Sequence, residues 1–302
     1  MPDLADLYPG YGSRFIDTSA GRVFARVGDA GKPPLLLLHG HPQSNVMWHR
    51  VAPLLSPHFT LVLADLPGYG WSAVPEADDA HAPYTKRAMA AAMIEVMDEL
   101  GFARFRLGGH DRGARVGYRL ALDHPGRLEQ LAVLDIVTTW DMWHRMNAAL
   151  ASRAWHWMFL ALPPPFPETL IGHDPAFFFD ARARAGVKAK TTPIFDPRAL
   201  AHYHAAYEDP LHIHAMCEDY RAGRTTDLAH DEADRAAGKT IGCPVLALWG
   251  SGGLPANAEL DPLACWRDWA PDLRGFPIES GHYLPEENPT ATAQALLEFF
   301  RG

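Results

Sequence analysis

Short apolar runs alternate with amphipathic stretches over the first 135 residues, a rhythm that predicts an α/β fold built on a mostly parallel central sheet flanked by helices. The runs Leu35-Leu36-Leu37-Leu38, Leu61-Val62-Leu63-Ala64, Phe105-Arg106-Leu107-Gly108 and Leu131-Ala132-Val133-Leu134 read as strands. Between them, residues 45–55, 85–100 and 112–122 carry apolar side chains at spacings of three and four, as helices with one buried face do. After Ile136 the texture changes to Trp140, Trp143, Trp155 and Trp157, then Pro163-Pro164-Pro165, then a stretch rich in His and Tyr to about Arg224. No strand-like alternation occurs there. Strand patterns resume at 244–249 and 273–278, and a last helix is expected over 289–300. A mostly helical insertion thus interrupts an α/β core. There is no internal repeat or low-complexity tract, and 163–167 reads as a stiff local turn.

Composition narrows the function classes. The 302 residues carry 27 Lys+Arg and 36 Asp+Glu, a net charge of −9, with 48% hydrophobic and 21% charged residues. That is the balance of a globular chain with a sizeable core, and it excludes disordered, collagen-like and coiled-coil classes. An acidic chain without a basic stripe lacks the footprint that nucleic acid requires, so small molecules are the expected partners. Cys217, Cys243 and Cys265 are odd in number and widely spaced, and read as reduced thiols. The start, Met1-Pro2-Asp3-Leu4-Ala5-Asp6, shows no signal-peptide pattern, and no apolar run is long enough to span a bilayer. A cytoplasmic chain that does not engage membranes is expected.

The sharpest chemical feature is Gly109-His110-Asp111-Arg112-Gly113, between the run 105–108 and the helix opening at Arg112. A strand that turns abruptly into a helix strains the residue at the bend, and glycines two positions to either side relieve the crowding. Here the elevated residue is Asp111. The bare pattern also fits an ordinary turn in which Asp111 caps the helix. Two further elements favour chemistry. His39-Gly40-His41-Pro42 follows the run 35–38, so the His41 amide, with that of Arg112, can serve as an oxyanion donor. His282, in Ser280-Gly281-His282-Tyr283 after the last expected strand, is placed to act as a general base.

With these elements in this order the chain resembles the α/β-hydrolase family over essentially its whole length. Asp at the elbow narrows the resemblance to haloalkane dehalogenases, epoxide hydrolases and fluoroacetate dehalogenases, and the details look most like the last. That family's Asp-Arg-x-x-Arg motif is matched by Asp111, Arg112 and Arg115, its cap His-Trp pair by His156 and Trp157, and its cap tyrosine by Tyr220. The resemblance implies a core of residues 1–137 and 226–302, with a helical cap, 138–225, inserted after the sixth core strand. It also implies a homodimer, no organic cofactor and no metal. The spacings His202-x-His204 and His212-x-His214 lack the carboxylate pattern of a metal site.

The residues themselves agree with that narrowing. Arg112 and Arg115 stand three apart on the first helical turn and share one face, where two guanidinium forks suit a substrate carboxylate and favour ionised Asp111. The alternative is that both are solvated or paired with surface acids. The turn after 244–249 reads Gly250-Ser251-Gly252-Gly253 and holds no carboxylate to orient His282. Asp135, directly after 131–134, is the location the fluoroacetate dehalogenase pattern uses, with Asp261 a weaker competitor. Trp157, His156 and Tyr220 would offer a departing halide three hydrogen-bond donors. Trp140, Trp143 and Trp155 are expected in the core or an interface.

The expected reaction is hydrolysis of a short 2-haloacid, fluoroacetate plus water to glycolate plus fluoride, through an ester on Asp111. One alternative is epoxide hydrolysis with the same Asp-His-Asp machinery and cap tyrosines drawn from Tyr203, Tyr207 and Tyr220. Another is a non-catalytic small-ligand-binding homologue. Two departures predict altered scope: His41 stands where many members place phenylalanine, and no tryptophan occurs over 178–195, which predicts a roomier pocket.

Overall fold

The computed structural model describes residues 4–188, 194–256 and 260–302. Met1-Pro2-Asp3, and with it part of the start read above for a missing signal peptide, lies outside these residues, as does 189–193 of the tryptophan-free stretch. Among the described residues, eight strands form one sheet: β1 Gly12–Thr18, β2 Gly21–Val27, β3 Pro34–Leu38, β4 Thr60–Ala64, β5 Phe105–His110, β6 Leu128–Leu134, β7 Val245–Gly250 and β8 Leu273–Ile278. Their order is β1-β2-β4-β3-β5-β6-β7-β8, with β1, β2 and β4 joined antiparallel and the rest parallel. The expected α/β-hydrolase architecture is present.

Side chains on a strand alternate between faces, and the central strands carry apolar residues pointing both ways along most of their length, so the sheet supports two cores. Leu35, Leu37, Leu61, Leu63, Leu134 and Leu248 pack on one face. Leu36, Leu38, Val62, Ala64, Val133 and Ala247 pack on the other. Each such leucine stabilises the fold by roughly 1.5–3 kcal/mol relative to exposure.

Helices α1 Ala52–Leu55, α2 Lys86–Glu99 and α3 Arg112–Asp123 connect the early strands. The single helix expected over 45–55 is instead a 3-10 turn, Asn45–Trp48, followed by the four-residue α1, which has a proline in its first turn. The Thr85 hydroxyl caps α2 by accepting the Ala88 amide. Between β6 and β7 come α4 Thr139–His144, α5 Ala148–Arg153, α6 Trp155–Leu160, α7 Phe166–His173, α8 Pro175–Gly186, α9 Pro197–Tyr207, α10 Pro210–Arg224 and α11 Thr226–Ala236. The chain closes with α12 Pro262–Arg267, α13 Leu284–Glu287 and α14 Pro289–Arg301.

The β1–β2 hairpin was not among the expected strands. β1 is an edge strand whose first four residues are exposed, and its two-residue connection, Ser19-Ala20, lacks the Asn-Gly or Asp-Gly turn signal. Among the described residues no helix is long and apolar enough to cross a membrane.

Candidate active site

The bend between β5 and α3 places Asp111 at φ 46°, ψ −111°, a conformation most residues avoid. Packing holds it there: the Gly113 amide donates to the His39 carbonyl at 2.8 Å, and a Cβ on Gly113 would come within 2.5 Å of that oxygen. Helix capping does not explain Asp111, because its carboxylate makes no bond to its own helix. Oδ1 instead accepts the His41 amide at 2.8 Å. One carboxylate oxygen is therefore fixed by a backbone donor and the other is left for chemistry.

His282 and Asp135 complete the cluster. Asp135, just past β6, accepts from His282 Nδ1 at 2.6 Å through Oδ2 and from the Gly250 amide at 2.8 Å through Oδ1. Gly253 makes this possible, since a Cβ there would approach Asp135 Oδ1 to 2.5 Å. The acid-free glycine turn thus houses the carboxylate supplied by the neighbouring strand. Asp261 is elsewhere, capping α12 through the Leu263 and Ala264 amides. His282 Nε2 is buried without a protein partner, so it can take a proton. His110 supports it from behind: its Nε2 donates to the His282 carbonyl at 2.8 Å, and burial pushes this imidazole down to about 3. That function of His110 was not foreseen from the motif.

Burial alone would raise the Asp111 carboxyl, but His282 and the fixed charges of Arg112 and Arg115 override it and hold the group well below the usual carboxylate range. Both arginines are buried, 1% and 3% exposed, so the surface-arginine alternative does not hold. Arg112 Nε lies 3.6 Å from Asp219 Oδ2, and its guanidinium sits 3.4 Å from the centre of the Tyr220 ring. Its three guanidinium nitrogens lack hydrogen-bond partners of good geometry. Arg115 donates to Thr139 Oγ1 at 3.0 Å, and its guanidinium lies 4.6 Å from the Trp157 ring centre. Asp219 was missed from sequence. It is held in turn by Lys86 and by the Tyr69 hydroxyl at 2.6 Å.

A cavity of about 300 Å³ opens onto this cluster, with Asp111, His282, Arg115, His156, Trp157 and Arg182 in its wall. Ala185 and Gly186, from the tryptophan-free stretch, line it. Tyr220 Oη and His156 Nδ1 are both buried without protein partners, and the two rings are 5.7 Å apart. Burial pushes the Tyr220 phenol up to about 12, so it stays a donor. The structure therefore brings His156, Trp157 and Tyr220 together beside Arg112. Trp155 is 39% exposed and lines the cavity, so it is not a core residue. Trp143 donates to the Gly223 carbonyl, and Trp140 stacks on His144. His41 is buried, and desolvation followed by the Arg182 charge lowers it well below its ordinary range, so it is a neutral neighbour of the site.

Of the tyrosines considered for an epoxide, Tyr203 hydrogen-bonds Glu286 and Gln43, and Tyr207 contacts His41 Nδ1 at 3.3 Å and Met216 Sδ at 3.2 Å. The histidines of the two paired spacings go separate ways, to the Ala5 carbonyl, Asp180, the Gly68 carbonyl and Glu168. Among the described residues no three His, Cys, Asp or Glu side chains are grouped to hold a metal.

Residues 33–289 match the family model of the alpha/beta hydrolase fold. Fluoroacetate dehalogenase from Burkholderia sp. is 42% identical over 293 residues, which cover 97% of this chain and 95% of that protein. Soluble epoxide hydrolase from Corynebacterium sp. (strain C12) is 29% identical over 273 residues, 88% and 90% of the two chains. Among solved structures, ALR0039 from Nostoc sp. PCC 7120 superposes with a TM-score of 0.92 at 45% identity, covering 96% of this chain and 98% of that one.

Proposed function

The chain belongs to the α/β-hydrolase fold family, and from that premise we propose that it hydrolyses the carbon–halogen bond of a short 2-haloacid, converting fluoroacetate and water to glycolate and fluoride. The observation that carries this is the pairing of an ionised carboxylate at the elbow with two buried guanidinium groups on the next helical turn. Such an arrangement suits an anionic substrate attacked at carbon.

Arg112 and Arg115 hold the substrate carboxylate. Asp111 Oδ2 attacks Cα in line, the C–F bond breaks, and fluoride leaves towards His156, Trp157 and Tyr220. His282 Nε2 then takes a proton from water as its oxygen adds to the ester carbon. Oδ1 becomes the oxyanion and is the oxygen the His41 amide already binds, with the Arg112 amide as the second donor. Collapse expels glycolate, which takes the proton back from His282, and Asp111 is restored after releasing one proton. The residues need no metal or organic cofactor in this scheme.

Epoxide hydrolysis is less well served, because two of its three candidate tyrosines spend their hydroxyls on other partners and an uncharged epoxide has no use for two guanidinium groups. A purely binding role leaves the aligned His282–Asp135 pair without purpose. We further take 138–225 as a cap, and the active form as a cytoplasmic homodimer. Exposed Phe166, Leu170 and Phe177 on α7 and α8 supply apolar surface for such pairing.

The test is fluoride release from fluoroacetate with a selective electrode, using Asp111→Asn as control. Release by the native protein alone is the expected result. No release from fluoro-, chloro- or bromoacetate, with diol formed from small epoxides, would overturn the proposal in favour of epoxide hydrolysis.

A further inference from the structure

Arg182, on α8, is a buried cation without an anion. It is 6% exposed, and among the described residues it forms no ion pair. Its recorded hydrogen-bond partner is His156 Nε2, 3.2 Å from Nη2, while its Nε is buried and unpartnered. Burying an unpaired guanidinium is costly, so a site that keeps one has a use for it.

A guanidinium can only donate, so Nε2 of His156 must be the acceptor and carries no proton. Of the two neutral tautomers only the one protonated at Nδ1 satisfies this bond, and the imidazolium satisfies it not at all. The Nδ1 donor is then the buried atom without a protein partner, on a residue of the cavity wall whose ring centre lies 5.7 Å from that of Tyr220, itself with an unpartnered hydroxyl. Two orphan donors on neighbouring rings, one backed by a guanidinium, suit a small anion.

We propose that Arg182 is a positioning residue that locks His156 in the Nδ1–H tautomer and so aims an N–H donor at the departing halide. The role in dehalogenation rests on the function proposed above, whereas the tautomer does not. A cation donating to Nε2 also draws electron density from the ring and strengthens the Nδ1–H donor. Burial, and after it the Arg182 charge, lowers this imidazole well below its ordinary range, which keeps the neutral ring in place. Fluoride is the halide most dependent on such donors, because it is small and strongly basic.

The test has two arms. In protein labelled with 15N-histidine, the His156 signals are identified by their loss in His156→Gln. The native protein is expected to show protonated Nδ1 and bare Nε2, and Arg182→Met to show proton at Nε2 or a mixture. A native Nε2–H tautomer, or an Arg182→Met pattern identical to native, overturns the proposal. In the kinetic arm, Arg182→Met should lose about tenfold more turnover on fluoroacetate than on bromoacetate, and Arg182→Lys should recover most of it. Equal losses on the two halides overturn the halide-donor role. If the native protein hydrolyses no haloacid, the dehalogenase proposal fails while the NMR arm still decides the tautomer. The native spectrum does so even if Arg182→Met does not fold.

Discussion

Asp135→Asn is expected to separate the two halves of the reaction. In the native site Asp135 accepts twice, from His282 Nδ1 at 2.6 Å and from the Gly250 amide at 2.8 Å. An asparagine has a single carbonyl oxygen. The Gly250 amide can only donate and claims that oxygen, which turns the asparagine NH2 towards Nδ1. His282 must then accept at Nδ1 and carry its proton on Nε2, where it can no longer take one from water. In Ser-His-Asp hydrolases the same tautomer switch lowers turnover by about 10⁴, equivalent to roughly 5 kcal/mol in the barrier, and a similar loss is expected here. Ester formation does not use His282 and should persist. Rapid-quench measurement should record a burst of fluoride equal to one per site, followed by near-arrest, and mass spectrometry should find the Asp111 peptide carrying a carboxymethyl ester. Asp261→Asn, which leaves a side-chain oxygen to cap α12 and touches nothing in the site, should turn over normally. Slow turnover with neither burst nor ester would refute the reasoning, because His282 would then act before the ester rather than after it.

Other consequences can be checked on stability and binding. Gly113→Ala forces a methyl against the His39 carbonyl at a site with no slack, so a loss of about 3 kcal/mol or failure to fold is expected in urea melts; a wild-type midpoint would contradict the packing account of the elbow. Asp219→Asn removes the anion nearest the buried Arg112 guanidinium, while Lys86 keeps Asp227 at 3.0 Å, and should cost about 3 kcal/mol, with KM for the haloacid raised more than kcat is lowered; an unchanged KM would mean that Asp219 does not position Arg112. Burial keeps His41 and His156 neutral and pushes His110 down to about 3. The unfolded chain takes up these protons near pH 6.5 and the native protein does not. Stability is therefore full above that pH and falls as pH drops below it, by roughly 1 kcal/mol per pH unit for each imidazole. A melting temperature unchanged from pH 7.5 to 5 would contradict this.

The parts of this protein legible in the sequence are those encoded by neighbours. The apolar runs of β3 to β8 mark strands because charge is scarce along them, and α2, α3 and α14 show their buried faces at spacings of three and four. The elbow is equally local: Gly109 and Gly113 flank Asp111 because no larger residue fits where α3 leaves the sheet. The family resemblance then carried His156, Trp157, Tyr220 and Asp135 to their positions as expectations. The β1–β2 hairpin escaped because an exposed edge strand has little apolar pattern to display.

What only the tertiary structure decided are relations between residues far apart in the chain. His282 meets Asp135 across 147 positions, and this, rather than anything in the turn 250–253, sets Asp261 aside. Arg182 reaches His156 across 26 positions, from one helix to another, and selects a proton position that no motif records. Asp219 lies opposite Arg112, and His110 beneath the His282 carbonyl, only because α10 and the β8–α13 connection come to rest there. Periodicity reports which face of an element is apolar. It does not report which polar atoms two buried faces will bring together, because that depends on how the elements pack against one another.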